Sequence, residues 1–174
     1  MRVASIIICD IIERQNTFND DPDEDKKGIL IFLPGLHEIF EFIEFIRDFY
    51  PAQWLANHID LIPLHSTLSA EEQDKAFRNA AFMKGRRKVI VATNIAESSI
   101  TIPDIKYVID FMLTKELHYD PISKSETLQL NFSSKASSKQ RAGRAGRVAD
   151  GFVFRMCSQS FYENGIPEYP KPEM

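Results

Sequence analysis

The sequence has little cysteine and no long apolar run, and each shortage excludes a class of protein. Its two cysteines, Cys9 and Cys157, are too few and too far apart for a disulfide framework or a cysteine metal site. No apolar run approaches the roughly 18 residues of a membrane-spanning helix, and the first residues lack the layout of a signal peptide. We therefore expect two free thiols in a soluble, cytoplasmic protein without a membrane partner, with a nuclear location left open.

The sequence also lacks an excess of positive charge. The net charge is −4 and the pI is about 5.6, so nucleic-acid binding cannot be argued from overall charge. Much of the acidity lies in Asn19–Asp25, which places five acidic residues in an expected solvated loop over about 16–27. Outside that loop the chain is close to neutral, and basic residues gather at 84–88 and 135–147.

Apolar residues recur with the periods of both strands and helices. Gly28–Leu33 is a continuous apolar run, typical of a strand covered on both faces, and Leu36–Phe49 alternates apolar and charged residues at helical spacing. Ser69 is a favourable helix cap because Glu71 and Glu72 follow it. Strands that alternate with helices in this way predict an α/β domain with a parallel sheet. We expect helices at 3–12, 36–49, 69–82 and 158–163, and strands at 28–33, 59–64, 88–93, 107–111 and 151–156.

The pattern changes between Lys115 and Phe132. Apolar and polar residues alternate strictly there, beside turn-forming residues at 120–125, which predicts a β-hairpin inserted into the α/β domain. The final stretch, 166–174, contains three prolines and is typical of a linker to a following domain. We therefore expect the domain to occupy residues 1–165.

The most distinctive stretch is Lys139–Arg147, which contains three arginines after its first two residues. As a helix it would place Gln140, Arg144 and Arg147 on one face, with no acidic residue nearby in the sequence. Its two glycines each cost about 1 kcal/mol in a helix interior, which indicates close approach of a backbone or ligand. This face suits a triphosphate, since guanidinium groups spread charge over phosphate oxygens and an amide can orient water. The alternative is a solvated basic helix.

A second polar stretch, Thr93–Thr101, directly follows an expected strand. Ligands of open α/β sheets bind beyond the carboxyl ends of the strands, which places Pro34, Gly35 and residues 65–67 near the same edge. The hydroxyl and N–H groups there suit phosphate oxygens, although an ordinary loop capping a helix fits the residues equally well. The chain contains neither G-x-x-x-x-G-K-[ST] nor an acidic magnesium motif, so another domain would have to hold most of a triphosphate.

Taken together, these motifs resemble the second RecA-like domain of DEAH-box RNA helicases. Gln140–Arg147 is similar to motif VI of that family, Q-R-x-G-R-x-G-R, while Thr93–Thr101 is similar to motif V and Leu30–Gly35 to motif IV. Leu64–Leu68 occupies the place of the motif after motif IV, and the hairpin lies between motifs V and VI. The resemblance covers Gly28–Met156 and is most similar to the germline branch that carries Tudor domains.

The resemblance implies a RecA-like three-layer sandwich and an ATP-driven motor that moves 3′ to 5′ on single-stranded RNA, with a possible place in germ granules. ATP with Mg²⁺ would be bound mainly by an absent N-terminal RecA-like domain of the same chain, so the fragment alone would be inactive. Protein cofactors would be further partners. The family's roles fall on Gln140 for positioning water, on Arg144 and Arg147 as arginine fingers, on Phe77, Ser99, Thr101 and Asp104 for nucleotide contacts, and on Gly35, Thr67, Thr93 and Asn94 for RNA contacts.

Some residues depart from the family pattern or allow another interpretation. Asp104 stands one place later than the acid of the family's T-I-D-G, and Pro34 replaces a threonine that is frequent in motif IV. Phe77 could instead be an apolar anchor of its helix. Arg86–Lys88 could contact RNA phosphates, but a solvated loop before a strand is the favoured interpretation. His65 is not expected to bind a metal, because no ligand cluster surrounds it in sequence.

Two other functions stay open at this point. The parent protein could be an RNA-binding scaffold that keeps the fold without useful ATP hydrolysis, or a DNA-directed motor. The intact Gln140, Arg144 and Arg147 argue against the scaffold, whereas contacts to a nucleic-acid backbone do not exclude DNA. We also expect the hairpin to lie near the RNA exit or a duplex junction.

Overall fold

Helices and strands alternate through most of the described chain. The computed structural model describes residues 1–18, 27–78, 86–97, 100–120, 124–145 and 150–170. The helices are α1 (Arg2–Phe18), α2 (Leu36–Phe49), α3 (Ala52–His58), α4 (Ala70–Phe77), α5 (Lys135–Ala142) and α6 (Gln159–Asn164). The strands are β1 (Gly28–Phe32), β2 (Ile59–Leu64), β3 (Arg87–Ala92), β4 (Ile105–Asp110), β5 (Leu113–Asp120), β6 (Ser125–Phe132) and β7 (Phe152–Arg155).

Five of these strands form a parallel sheet in the order β2-β3-β1-β4-β7. Every residue of β1 and β3 is buried, as the continuous apolar sequence of β1 predicts for a strand covered on both faces. The other two strands, β5 and β6, pair antiparallel from Leu113 opposite Phe132 to Asp120 opposite Ser125. The predicted α/β fold with a mainly parallel sheet and an inserted hairpin is confirmed.

The core has two halves, one on each face of the sheet. Alternate β1 residues point to opposite faces: Ile29 and Ile31 pack against α1 and α2, and Leu30 and Phe32 pack on the other side. The first half draws Ile8 and Ile12 from α1 and Phe42 and Ile46 from α2, while the second includes Ala76 of α4 and Ala145 after α5. This is the three-layer arrangement that the resemblance implies.

Several predicted helix boundaries were wrong. Helix α1 extends to Phe18, beyond the predicted end at residue 12. Helix α4 ends at Phe77, short of the predicted residue 82, because Arg78 has an extended backbone. Helix α3 was not predicted at all. None of its residues is fully buried, but Trp54 and Leu55 pack partly buried against the first half of the core, and Trp54 stacks between Tyr50 and His58.

The proline-rich tail begins against the domain. Ile166 is buried, and the carbonyl oxygens of Pro167 and Glu168 accept hydrogen bonds from the backbone N–H groups of Lys135 and Ala136 at the start of α5. These bonds satisfy donors that a helix start leaves unpaired. The boundary at residue 165 stays a prediction, since residues after Pro170 lie outside the described part of the chain.

Candidate nucleic-acid interface

A groove of about 620 Å³ lies at the carboxyl edge of the sheet. It forms where β1, β2 and β3 end, and the base of the hairpin closes one side. The structure therefore brings three of the four predicted RNA contacts, Gly35, Thr93 and Asn94, to one place, with Thr67 in the adjoining turn. The lining residues are Pro34, Gly35, Leu36, His37, His65, Ser66, Thr93, Asn94, Ile95, Lys115 and Leu128.

The loop that follows β3 offers polar groups to this groove. The N–H of Thr93 donates to the carbonyl of Leu64 over 3.4 Å, which ties the start of the loop to the end of β2. The Thr93 hydroxyl and the exposed carboxamide of Asn94 make no hydrogen bond with another described residue. A polar side chain in such a position is available to a ligand.

The charged group in the groove lining is the ammonium of Lys115, on strand β5. Its Nζ lies 2.8 and 2.9 Å from the two carboxylate oxygens of Glu38, in the first turn of α2. Burial opposes ionisation of Glu38, but the hydrogen bond and charge of Lys115, together with a backbone hydrogen bond, outweigh it, so the pKa of Glu38 lies below its usual range. Gly35 passes so close that a Cβ there would lie 2.7 Å from Glu38 Oε2 and 3.0 Å from Lys115 Nζ. A larger residue at this position would have to displace the ends of these two flexible side chains, and with them the ion pair.

Behind the loop, Arg141 is the centre of a buried ion network. Its guanidinium lies 2.7 Å from Glu97 Oε1 and 2.8 Å from Asp110 Oδ1, and its side chain is 2% exposed. Its NH1 also donates to the carbonyl of Leu113, and the group lies over the Phe32 ring. The arrangement pins the last turn of α5 to β4 and to the loop after β3.

The prediction that one continuous helix places Gln140, Arg144 and Arg147 on the same face was wrong. Helix α5 ends at Ala142, and Gly143 caps it without a positive φ. A Cβ at Gly143 would make ordinary contacts, so this glycine does not mark a close approach. No acidic residue is near this segment in sequence, but the carboxylates of Glu97 and Asp110 reach Arg141 through space. Gly146 and Arg147 lie outside the described residues.

Arg144 turns inwards rather than into solvent. Its NH1 donates to the carbonyl of Ile100 over 2.6 Å, its NH2 donates to the carbonyl of Glu97, and the residue is 6% exposed. Gln140, by contrast, is exposed in the last turn of α5. The loop after β3 is thus held at one end by two buried arginines, while its other end lines the groove.

Two of the residues predicted to contact the nucleotide, Phe77 and Asp104, are chain neighbours of Arg78 and Pro103, whose carbonyls both accept from Lys88 Nζ at 3.0 Å. Asp104 stands before β4, at the amino edge of the sheet, where its carbonyl accepts from the N–H of Gly28. Its φ of 65° suits a position that glycine fills in the family motif. Phe77 packs partly buried against the second half of the core, as the anchor interpretation requires. Thr101 is exposed, and Ser99 lies outside the described residues.

The basic run before β3 is buried, so the solvated-loop interpretation was wrong for its last two residues. Arg87 and Lys88 belong to the strand and are 3% and 1% exposed. Lys88 Nζ donates to the carbonyls of Arg78 and Pro103, each at 3.0 Å. Burial lowers its pKa to about 8, against the opposing effect of Asp104. Neither residue is exposed for binding RNA phosphates.

Sequence reasoning missed Lys115, Glu38 and Arg141. An ion pair between residues far apart in sequence leaves no local pattern. Arg141 lies within the arginine motif, but the roles predicted there fell on Gln140, Arg144 and Arg147. Among the described residues, no group of three or more His, Cys, Asp or Glu side chains could hold a metal ion. Within the same residues, no helix is long and apolar enough to cross a membrane.

Comparison with known proteins agrees with this geometry. The family described as Helicase conserved C-terminal domain matches residues 10–149. The Homo sapiens protein named ATP-dependent RNA helicase TDRD9 is 42% identical over 150 residues, which cover 86% of this chain and 10% of that protein. The Aedes aegypti protein named Probable ATP-dependent RNA helicase spindle-E is 42% identical over 175 residues, covering 97% and 12%.

A solved structure shows the same fold. The DExH-box NTPase HrpB of E. coli aligns with a TM-score of 0.77 and 30% identity, over 97% of this chain and 19% of that chain. The present chain therefore spans about a tenth of the length of the curated relatives and about a fifth of this structural neighbour.

Proposed function

The chain belongs to the family of helicase conserved C-terminal domains, and from this we propose that it is the second RecA-like half of a DEAH-box RNA helicase core. The observation that carries the proposal is the groove at the carboxyl edge, whose polar loop is continuous with the segment held by Arg141 and Arg144. The names of the relatives, ATP-dependent RNA helicase, and of the structural neighbours, DExH-box NTPase and DEAH/RHA helicase, support this choice.

Single-stranded RNA is the ligand that we assign to the groove. Contacts to a nucleic-acid backbone use hydroxyls, amides, backbone N–H groups and ammonium groups. The groove presents these groups through Thr93, Asn94, Gly35 and Lys115. A phosphate that approaches would compete with Glu38 for the Lys115 ammonium, since the pair is only partly buried. The net charge of −4 supports a short strand segment over a long duplex, which would need many phosphate contacts.

For ATP, this domain would contribute Gln140, Arg144 and Arg147 to a site formed mainly by an upstream RecA-like domain, which would also hold Mg²⁺. Bound ATP supplies the phosphoryl group whose transfer drives the motor. Gln140 is exposed and able to orient water, whereas Arg144 could act as a finger only by exchanging two carbonyl oxygens for phosphate oxygens. The fragment alone should therefore be inactive.

That exchange suggests how ATP and RNA binding would be coupled. The carbonyls that Arg144 holds, at Glu97 and Ile100, belong to the loop whose first residues, Thr93 and Asn94, line the groove. Release of Arg144 toward a phosphate would free the far end of the loop and change the position of its RNA-contacting end. Phosphate and RNA would thus act on one element from opposite ends.

The test is ATP turnover and RNA affinity in the full-length protein, with Arg144→Ala compared with Arg147→Ala. Loss of either finger should lower RNA-stimulated turnover by about 10³-fold. Arg144→Ala should also weaken RNA binding, since it releases the carbonyls of Glu97 and Ile100, and we expect no such loss in Arg147→Ala.

Three outcomes would contradict the proposal. RNA binding without RNA-dependent turnover in the wild type would indicate a scaffold. Turnover stimulated by DNA and not by RNA would indicate a DNA-directed motor. Equal RNA affinity in both variants would remove the coupling through Arg144.

A further inference from the structure

The turn after β2 contains a histidine whose ring is fixed by its neighbour. His65 lines the groove. The backbone N–H of Thr67 lies 3.2 Å from His65 Nδ1, and the Thr67 hydroxyl oxygen lies 2.8 Å from the same nitrogen. Both contacts come from one residue two positions along the chain, so they form a local clamp on the imidazole.

The clamp determines which ring nitrogen carries the proton. A backbone N–H can only donate, so its 3.2 Å contact favours Nδ1 as the acceptor, with the Thr67 hydroxyl sharing the same lone pair. In a neutral imidazole whose Nδ1 accepts, the hydrogen is on Nε2. Nε2 makes no hydrogen bond with another described residue. The groove lining thus contains an N–H donor that has no acceptor among the residues the structure describes.

We propose that His65 contacts the nucleic acid in this turn by donating Nε2–H to a backbone oxygen, and that Thr67 is a positioning residue that holds the ring. This inference rests on the proposed RNA-binding function and deepens it. It gives Thr67 a task different from the direct RNA contact expected from the resemblance, because its hydroxyl hydrogen is engaged with Nδ1. The acceptor is a phosphate oxygen or a ribose 2′-hydroxyl, both of which an N–H donor can reach.

The geometry favours a binding role for His65 over a metal-binding one. Nδ1 is already occupied, and no cluster of three or more metal-binding side chains exists among the described residues. Ser66, Thr93 and Asn94 line the same groove and carry groups suited to adjacent backbone oxygens. His65 would therefore add one directed hydrogen bond to a set of polar contacts along the strand.

The experiment measures the affinity of the full-length protein for a labelled oligouridylate and for the matching oligodeoxyuridylate. His65→Phe keeps the ring shape but removes both nitrogens, and should weaken binding of the oligouridylate about tenfold. His65→Gln returns an N–H donor at similar reach and should recover most of that loss. His58→Phe is the matched control, since His58 stacks on Trp54 in helix α3, outside the groove lining, and its replacement should leave affinity unchanged.

A double-mutant cycle separates the two residues of the turn. Thr67→Val removes the clamping hydroxyl and should weaken binding about threefold in the wild type, but should have no further effect in His65→Phe. Thr67→Ser, which keeps the hydroxyl, should bind like the wild type. Additive losses from His65→Phe and Thr67→Val would show that Thr67 contacts RNA by itself and would overturn the assignment.

The remaining outcomes identify the acceptor or reject the idea. Loss of affinity for both oligonucleotides assigns a phosphate oxygen, and loss for the oligouridylate alone assigns the 2′-hydroxyl. Unchanged affinity in His65→Phe, with normal RNA binding by the wild type, would overturn this inference and leave the proposed function intact. Failure of the wild type to bind either oligonucleotide would instead reject the proposed function, and this inference with it.

Discussion

The polar groups at the two ends of the loop after β3 differ in whether the protein itself binds them. At the groove end, the Thr93 hydroxyl and the Asn94 carboxamide make no hydrogen bond with another described residue. At the other end, the Glu97 carboxylate is bound by Arg141, and the Glu97 and Ile100 carbonyls are bound by Arg144. The groups at the groove end can therefore bind a ligand, whereas those at the other end are already bound by arginine side chains of the protein.

This contrast explains how a single loop could bind RNA at one end and respond to a phosphate at the other. Asn94 is exposed, so its open carboxamide costs little, because water satisfies it until a ligand arrives. A buried guanidinium must be satisfied by the protein, since leaving a charge unpaired in the interior is very unfavourable. The arginine end is therefore a fixed anchor, from which the groove end projects.

The largest effect should come from breaking the anchor at Arg141. Arg141→Ala leaves Asp110 and Glu97 without their cation, and Asp110 is fully buried. We expect the free energy of unfolding to fall by about 3–5 kcal/mol, measured by urea denaturation of the chain. Lys139→Ala is the matched control on the same helix, where the lysine is exposed and paired with Glu168 at the surface. If both variants unfold at the same urea concentration, the network is not an anchor.

A smaller change in stability is expected for Lys88, which is held by backbone carbonyls, than for Arg141, which is paired with carboxylates. Lys88 has a pKa of about 8 against an ordinary 10.5, so between these values the unfolded chain binds more protons and the free energy of unfolding rises with pH. From about pH 7 to about pH 10, the wild type should gain about 2 kcal/mol relative to Lys88→Met. Unfolding measured across this range would contradict the prediction if the two curves ran parallel.

The smallest effect concerns affinity rather than stability. Removing one cation that contacts phosphate in the groove should reduce the slope of log affinity for single-stranded RNA against log salt concentration by about 0.7. We expect this change for Lys115→Met, while Glu38→Gln should raise affinity at low salt because it frees the ammonium and removes a repelling carboxylate.

Lys106→Met provides the control for this measurement. Lys106 is on β4, outside the groove lining. Its ammonium lies over the rings of Tyr107 on the same strand and Phe152 on β7. A slope that changes equally in Lys106→Met and Lys115→Met would show that only overall charge matters, and that Lys115 makes no specific contact.

Much of the fold followed from local sequence. The runs Gly28–Leu33 and Leu36–Phe49 became β1 and α2 because apolar periodicity is fixed by which faces are buried. Ser69 capped its helix with Glu72 as expected, since both partners lie within one turn. The hairpin formed where polar and apolar residues alternate. In each case the deciding contacts were near in sequence or required only a buried face.

The sequence by itself determined the α/β architecture, the position of the hairpin and the set of loops at the carboxyl edge, because strand order and periodicity fix where each strand ends. It did not determine the state of the arginine segment. A phosphate-binding helical face was predicted there, but the helix ends at Ala142 and Arg141 is bound by Glu97 and Asp110, 44 and 31 residues away. It also could not show that Lys115 meets Glu38 across 77 residues. Charges pair through space, so only the tertiary structure decided which arginines are anchors and which side chains remain open to a ligand.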